Sequence, residues 1–261
     1  MPIWGVVNQK GGVGKTTTAV NLSAGLAQRG CKTLLVDCDP QGNATTNLGV
    51  NKSRLKRSLY NVLVEAAESD DPSSATQGAV VNTGPFLDLL PATVDLAGIE
   101  SALSNAVGKE VVLRECLASL RESYEWIILD GPPSLGLLTI NILAASEAVL
   151  VPMQCEFFAL EGLSQLMRTI DVVKRRINPG LHVSKVLLTM HDPRSRLNQQ
   201  VTQEVTQYFG EKVARAPIPR NVRLSEAPGF GQAAVTRFPS SKGAEAYQEL
   251  VNEVIQQCAA R

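Results

Sequence analysis

The sequence predicts an α/β chain built on a doubly wound, mostly parallel sheet with helices on both faces. Three observations lead there. Short apolar runs recur without a two-residue period, as in strands buried on both sides. Segments with helical spacing separate them, and strands that alternate with helices pair in parallel. A glycine-rich loop joins the first run to the first helical segment, which is the start of a βαβ unit.

Ile3 to Asn8 reads as the first buried strand. Thr16 to Arg29 reads as a helix, with Ala19, Leu22, Leu26 and Ala27 on its apolar side and Gly30 placed to cap it. Thr33 to Asp37 ("TLLVD") is the second strand. Further strands are expected at Leu87–Leu90, Trp126–Asp130, Ala148–Pro152 and Val183–Thr189, and helices over 95–105, 109–123, 160–177 and 198–209. Residues 69–84, rich in Ser, Asp, Pro and Gly, read as a surface excursion. No repeat or low-complexity tract divides the chain, so residues 1–261 read as one domain. Right-handed crossovers place the carboxyl ends of the parallel strands on one edge, where ligands bind in such folds.

Lys and Arg number 25, as do Asp and Glu, so an anionic partner can be met only by a local patch. Five widely spaced cysteines with no C-x-x-C pair argue against a disulfide framework or a zinc site. The N-terminus lacks a charged segment followed by an apolar core, and the most apolar stretch, 135–152, is interrupted by Thr139, Asn141, Ser146 and Glu147. A soluble cytoplasmic protein is expected.

The loop itself is "VNQKGGVGKTT", Val7 to Thr17. An ordinary phosphate-binding loop has its first glycine five residues before the Gly-Lys pair, and here that position is Gln9. The match is instead to K-G-G-x-G-K-[ST], the deviant Walker A form. Gly11, Gly12 and Gly14 let the backbone curl so that successive N–H groups, Val13 included, face phosphates. The helix N-terminus at Thr16 and Thr17 adds partial positive charge. Lys15 is placed to reach the β- and γ-phosphates of ATP, and the Thr16 hydroxyl to ligate Mg²⁺. Three acids at strand ends support this: Asp37 and Asp39 in "LLVDCDPQGN", and Asp130 in "WIILDGPPS", where a Walker B carboxylate holds Mg²⁺ through water.

These stretches, with "IPRNVRLSEAP" at 218–228, resemble the ParA/Soj family of DNA-partitioning ATPases, and the resemblance spans almost the whole chain. It implies an ATP hydrolase with Mg²⁺ as cofactor. Lys10, the second lysine of the loop, corresponds to the signature lysine that crosses a homodimer interface to the partner's ATP, much as an arginine finger does. Asp39 would position the attacking water and share in the metal site with Thr16 and Asp130; Asp37 would support the metal's outer shell. The 131–133 segment would be a second switch. Adenine is expected against Ala216, Pro217, Ile218 and Pro219, with Met190 at its edge. No N-K-x-D motif supports guanine.

The family also implies nonspecific binding of double-stranded DNA by the ATP dimer, release on hydrolysis stimulated by a ParB-like activator, and a nucleoid-associated location. Arg194 and Arg196 in one loop and Arg220 and Arg223 in another are the candidate DNA contacts, with Arg194 and Arg220 foremost; Arg215, Arg237 and Lys242 lie nearby. No helix-turn-helix precedes the first strand, so site-specific DNA recognition is not expected. A MinD-like membrane cycle is the competing reading. The last helix answers it with an apolar stripe (Tyr247, Leu250, Val251, Val254, Ile255), a polar face bearing Glu245, Glu249 and Glu253, and one terminal arginine, a pattern for docking on the core. A metal- or cofactor-handling relative would need cysteine pairs that the spacing does not supply. Positioning of another cargo, such as a carboxysome or chemoreceptor cluster, uses the same chemistry and is not separated by sequence.

Overall fold

The computed structural model describes residues 2–156 and 159–259. Seven strands form its sheet: β1 (Ile3–Val6), β2 (Thr33–Asp37), β3 (Val81–Gly84), β4 (Leu87–Leu90), β5 (Trp126–Asp130), β6 (Ala148–Gln154) and β7 (His182–Thr189). Their spatial order is β3-β4-β2-β5-β1-β6-β7. Every neighbouring pair is parallel except β3 with β4.

The absence of a two-residue period in the strands now has its cause, because successive residues feed two different cores. Ile3, Leu34, Ile127 and Val149 pack on one face, while Trp4, Leu35, Ile128 and Leu150 pack on the other. The first face is covered by α2 (Leu59–Glu68), α3 (Leu137–Ala145), α4 (Ala159–Arg176) and α5 (Arg196–Phe209). The second is covered by α1 (Lys15–Gln28) and α6 (Lys242–Ala259). At Gly25 a Cβ would lie 2.5 Å from Val251 Cγ2, so glycine sets how closely α1 and α6 approach.

Strand ends and the long helices fall within a few residues of the sequence expectation; short segments differ. α1 ends as predicted, with Gly30 at φ 80° and Cys31 N–H donating back to Leu26. Residues 95–105 are not one helix but a 3₁₀ turn (Val94–Gly98) and a four-residue helix, because Gly98 interrupts the pattern. Residues 109–123 likewise shorten to Val112–Cys116 and a 3₁₀ turn. The 69–84 excursion contains a 3₁₀ turn and the antiparallel edge strand β3. The sequence reading missed α2, whose Leu59, Val62, Leu63 and Ala66 are all buried. It also missed α3, which is apolar nearly all round and so lacks a stripe.

In α6 the apolar stripe is spent on the core: Tyr247, Leu250, Val251 and Val254 are buried. Glu253 departs from the expected polar face. It is buried against Lys185 of β7, 2.5 Å away, because the helix turns that side toward the sheet edge. The terminal arginine, Arg261, lies outside the described residues. Among the described residues no helix is long and apolar enough to cross a membrane.

Candidate nucleotide site

β1, β2 and β5 end side by side, and their last residues meet the loop between β1 and α1. Gly12 and Gly14 adopt φ of 76° and 87°, and Gly14 is the N-cap of α1. Only glycine takes such angles without strain, and the turn they make leaves the first backbone N–H groups of α1 facing the sheet's carboxyl edge. The loop is anchored from below. Thr189, at the end of β7, donates its hydroxyl to Val13 O at 2.8 Å, and Asn8 donates its amide to Pro152 O on β6 at 2.7 Å. Gly131, just after β5, packs where a Cβ would meet Val6 O at 2.9 Å, bringing the 131–133 segment against the loop.

Lys15 is buried, and its ammonium donates to Lys10 O at 2.9 Å, filling the loop's own concavity. Burial pulls its pKa down; the charges of Asp130 and Asp39 pull it back up. Asp130 is wholly buried, and among the described residues neither of its oxygens closes a hydrogen bond. Burial and the adjacent Asp37 hold its carboxyl well above the usual range, with Thr16 and Lys15 offsetting part of that. A buried carboxylate that closes no hydrogen bond calls for a cation. The donor set of Thr16, Asp39 and Asp130 suits Mg²⁺, a hard ion that keeps waters and shares substrate phosphates. Among the described residues no three His, Cys, Asp or Glu side chains make a cage by themselves.

Asp37 pairs with Asp130 in sheet register but has a different environment. Its oxygens accept from Thr45 N–H (2.8 Å), the Thr45 hydroxyl (2.7 Å) and Asp39 N–H (3.2 Å). Burial raises its pKa to about 6, against those hydrogen bonds. It therefore fastens the loop that carries Asp39. Asp39, also buried, accepts from Gln41 N–H at 2.9 Å, and its charge acts on Lys15. Cys38 between them is fully buried, its thiol pushed well up by burial, which makes it a packing residue.

Beside the loop lies a cleft of about 300 Å³ lined by Gly14, Thr17, Met190, Ile218, Pro219 and Arg220, among others. Met190, Ile218 and Pro219 thus meet next to the phosphate loop as the sequence reading required; Pro217 is half-buried and does not line the cleft. Residues 213–219 run along the edge of β7, with Ile218 N–H donating to Leu188 O and His191 N–H to Ile218 O. Met190 sits at φ 50°, unusual for a residue with a side chain, at the turn this pairing enforces. The cleft also contains Asn221, Leu224, Ser225, Pro228 and Tyr247, which sequence reasoning did not assign to the base. Tyr247 comes from α6 and shares a 3.0 Å hydrogen bond with Thr18, a contact 229 residues apart that no local signal announces.

The same β7 pairing brings the two arginine loops together, joined by the bridge between His191 and Pro219. Arg194, Arg196, Arg220 and Arg223 are all exposed. Arg194 is paired with Asp192 at 3.1 Å, and Arg223 with Glu226 at 2.6 Å while it stacks on Phe238. Arg196 and Arg220 have no ion-pair partner among the described residues. Lys10 is half-buried, its ammonium paired with Glu156.

The sequence family described as an AAA domain matches residues 1–183. The sporulation initiation inhibitor protein Soj of Bacillus subtilis is 50% identical over 249 residues, covering 95% of this chain and 96% of that protein. The chromosome partitioning protein ParA of Caulobacter vibrioides is 47% identical over 252 residues, covering 96% and 92%. Among solved structures, a cobyrinic acid a,c-diamide synthase from Mycobacterium smegmatis with bound ATP analogue and magnesium superposes with a TM-score of 0.85 at 38% identity, over 98% of this chain and 94% of that one. With the deviant phosphate loop, the acidic strand ends and nearly full-length identity to Soj and ParA in place, the chain belongs to the ParA/Soj family of partitioning ATPases.

Proposed function

We propose that residues 1–261 form a single ATPase domain that hydrolyses ATP with Mg²⁺, dimerises face to face around two nucleotides, and binds double-stranded DNA without sequence preference in that state. The observation that supports it most is the buried Asp130, whose oxygens close no hydrogen bond among the described residues, beside Lys15 at the mouth of the phosphate loop. Thr16, Asp39 and Asp130 would hold Mg²⁺, which neutralises charge on the phosphates. Lys15 leaves Lys10 O for the β- and γ-phosphates, and the first-helix N–H groups cradle them. Asp39 orients the attacking water. Met190, Ile218 and Pro219 hold the adenine.

Lys10 reaches the second copy's phosphates, so the catalytic charge is complete only in the dimer. Hydrolysis removes the γ-phosphate that both copies grip, and the dimer opens. Pairing two copies doubles the arginines presented to DNA, and phosphate contacts of this kind weaken steeply with salt. A ParB-like activator with a basic N-terminal segment stimulates hydrolysis, and the protein works in the cytoplasm on the nucleoid. The name of the Caulobacter relative, a chromosome partitioning protein, supports chromosome partitioning over another cargo.

Phosphate release is the direct test. The wild-type chain with ATP and Mg²⁺ should turn over slowly, faster with duplex DNA plus such a peptide, and not at all as Lys15→Ala. Turnover equal with and without DNA and peptide would separate ATP hydrolysis from partitioning.

A further inference from the structure

Glu156 lies two residues past β6, at the rim of the phosphate loop, and its partner is Lys10. Lys10 is held at three points. Its N–H donates to Asn8 Oδ1 at 3.0 Å, its carbonyl accepts from Lys15 at 2.9 Å, and its ammonium pairs with Glu156. Asn8 in turn donates to Pro152 O on β6, so the loop's first arm and the tail of β6 are tied twice. The inner tie is buried. The outer one is at the surface, with the Lys10 and Glu156 side chains 40% and 43% exposed, and can open.

We propose that Glu156 is a positioning residue for Lys10: it keeps the ammonium on its own protomer, and two copies close over ATP only as this ion pair opens. This rests on the sandwich-dimer reading above. Nucleotide removes one of the three holds, because phosphates draw Lys15 off the Lys10 carbonyl. The loop arm is then held by Asn8 and Glu156. The second copy's phosphates, several negative charges against one carboxylate, compete for the ammonium and win only at close range. Glu156 thereby sets how much ATP-loaded protein is needed before dimers form.

The magnitude follows from exposure. A half-exposed pair shifts an equilibrium by about two- to fivefold. Each of two copies opens one pair, so the factor enters twice, about 4- to 25-fold in the dimer dissociation constant.

The test is sedimentation velocity on the full chain with a nonhydrolysable ATP analogue and Mg²⁺, for wild type, Glu156→Gln and Glu156→Asp, at low and high salt. Glu156→Gln should dimerise about 4- to 25-fold more tightly at low salt, and its lead should shrink at high salt, where the wild-type pair is already screened. Glu156→Asp keeps the charge and should stay nearer wild type. Analogue affinity of the lone chain, measured below the dimer threshold, should be equal in all three. A Glu156→Gln dimer equal to or weaker than a wild-type dimer, or a lead indifferent to salt, overturns the proposal alone. Absence of any dimer in all three with analogue bound overturns the sandwich reading and this proposal with it.

Discussion

The ends of β2 and β5 are neighbours in register, and each finishes in a buried aspartate, yet the two serve opposite purposes. Asp37 accepts three hydrogen bonds, two of them from Thr45, and so fixes the loop that carries Asp39. Asp130, one strand away, accepts none among the described residues. Burial raises both pKa values; three hydrogen bonds of the chain oppose the rise at Asp37, whereas at Asp130 the Thr16 hydroxyl and the Lys15 charge oppose it. A buried acid that the fold satisfies is architecture. A buried acid that the fold leaves bare is waiting for a ligand.

Breaking the bare acid should produce the largest effect. Asp130→Asn removes the charge that a cation requires, and phosphate release should fall about 100- to 1,000-fold, the scale seen for loss of one transition-state electrostatic partner. Its thermal midpoint without nucleotide should hold or rise, because burial already disfavours the Asp130 charge that the amide removes. Breaking the satisfied acid's partner should do the reverse. Thr45→Val strips one donor from Asp37 and orphans Ala92 N–H, which donates to the Thr45 hydroxyl at 3.0 Å. Urea unfolding should show a loss of about 2–4 kcal/mol, about 1–2 for each broken buried bond.

Acid titration of stability sharpens the contrast. Unfolded aspartates titrate near pH 4 by their ordinary values. Asp37 holds its proton to about pH 6 in the folded chain, and burial holds the Asp130 proton well above its ordinary range as well. The folded state therefore binds more protons across this window, so the nucleotide-free chain should lose stability as pH rises from about 4 through 6. About two pKa units at Asp37 correspond to roughly 3 kcal/mol. Adding the ATP analogue with Mg²⁺ should flatten the Asp130 portion and leave the Asp37 portion, which urea midpoints along a pH series would separate.

The smallest effect is expected at the arginine loops, where the same distinction between met and unmet charge applies. Arg220 and Arg196 are free of ion pairs among the described residues, while Arg223 is engaged by Glu226 and Phe238. Replacing Arg196 or Arg220 with Ala should weaken DNA binding several-fold on any sequence and lower the salt slope by about one, while Arg223→Ala should do less.

The phosphate loop was legible because its chemistry is contiguous: Gly12, Gly14, Lys15 and Thr16 sit within five positions between a strand and a helix. The acidic strand ends were legible for the same reason, each closing an apolar run. What could not be read was which acid is bare, since that depends on Thr45, eight residues beyond Asp37, folding back onto it. The cleft beside the phosphate loop was legible in part. Ile218 and Pro219 belong to a recognisable motif, but Tyr247 joins them through the crossing of α1 and α6. Glu253 misled for a related reason: helical periodicity marks a polar side without saying that Lys185 waits beneath it. Glu156 gave no signal at all, because a lone acid after an apolar strand has no pattern.

Cosedimentation with random duplex DNA, with ATP, with ADP and without nucleotide, for wild type and Lys10→Ala, tests the dimer-gated reading most directly. Binding should require ATP, weaken with salt, and vanish in Lys10→Ala, because that lysine completes the dimer that presents the arginines. Equal binding under all three nucleotide conditions, or undiminished binding by Lys10→Ala, would contradict it.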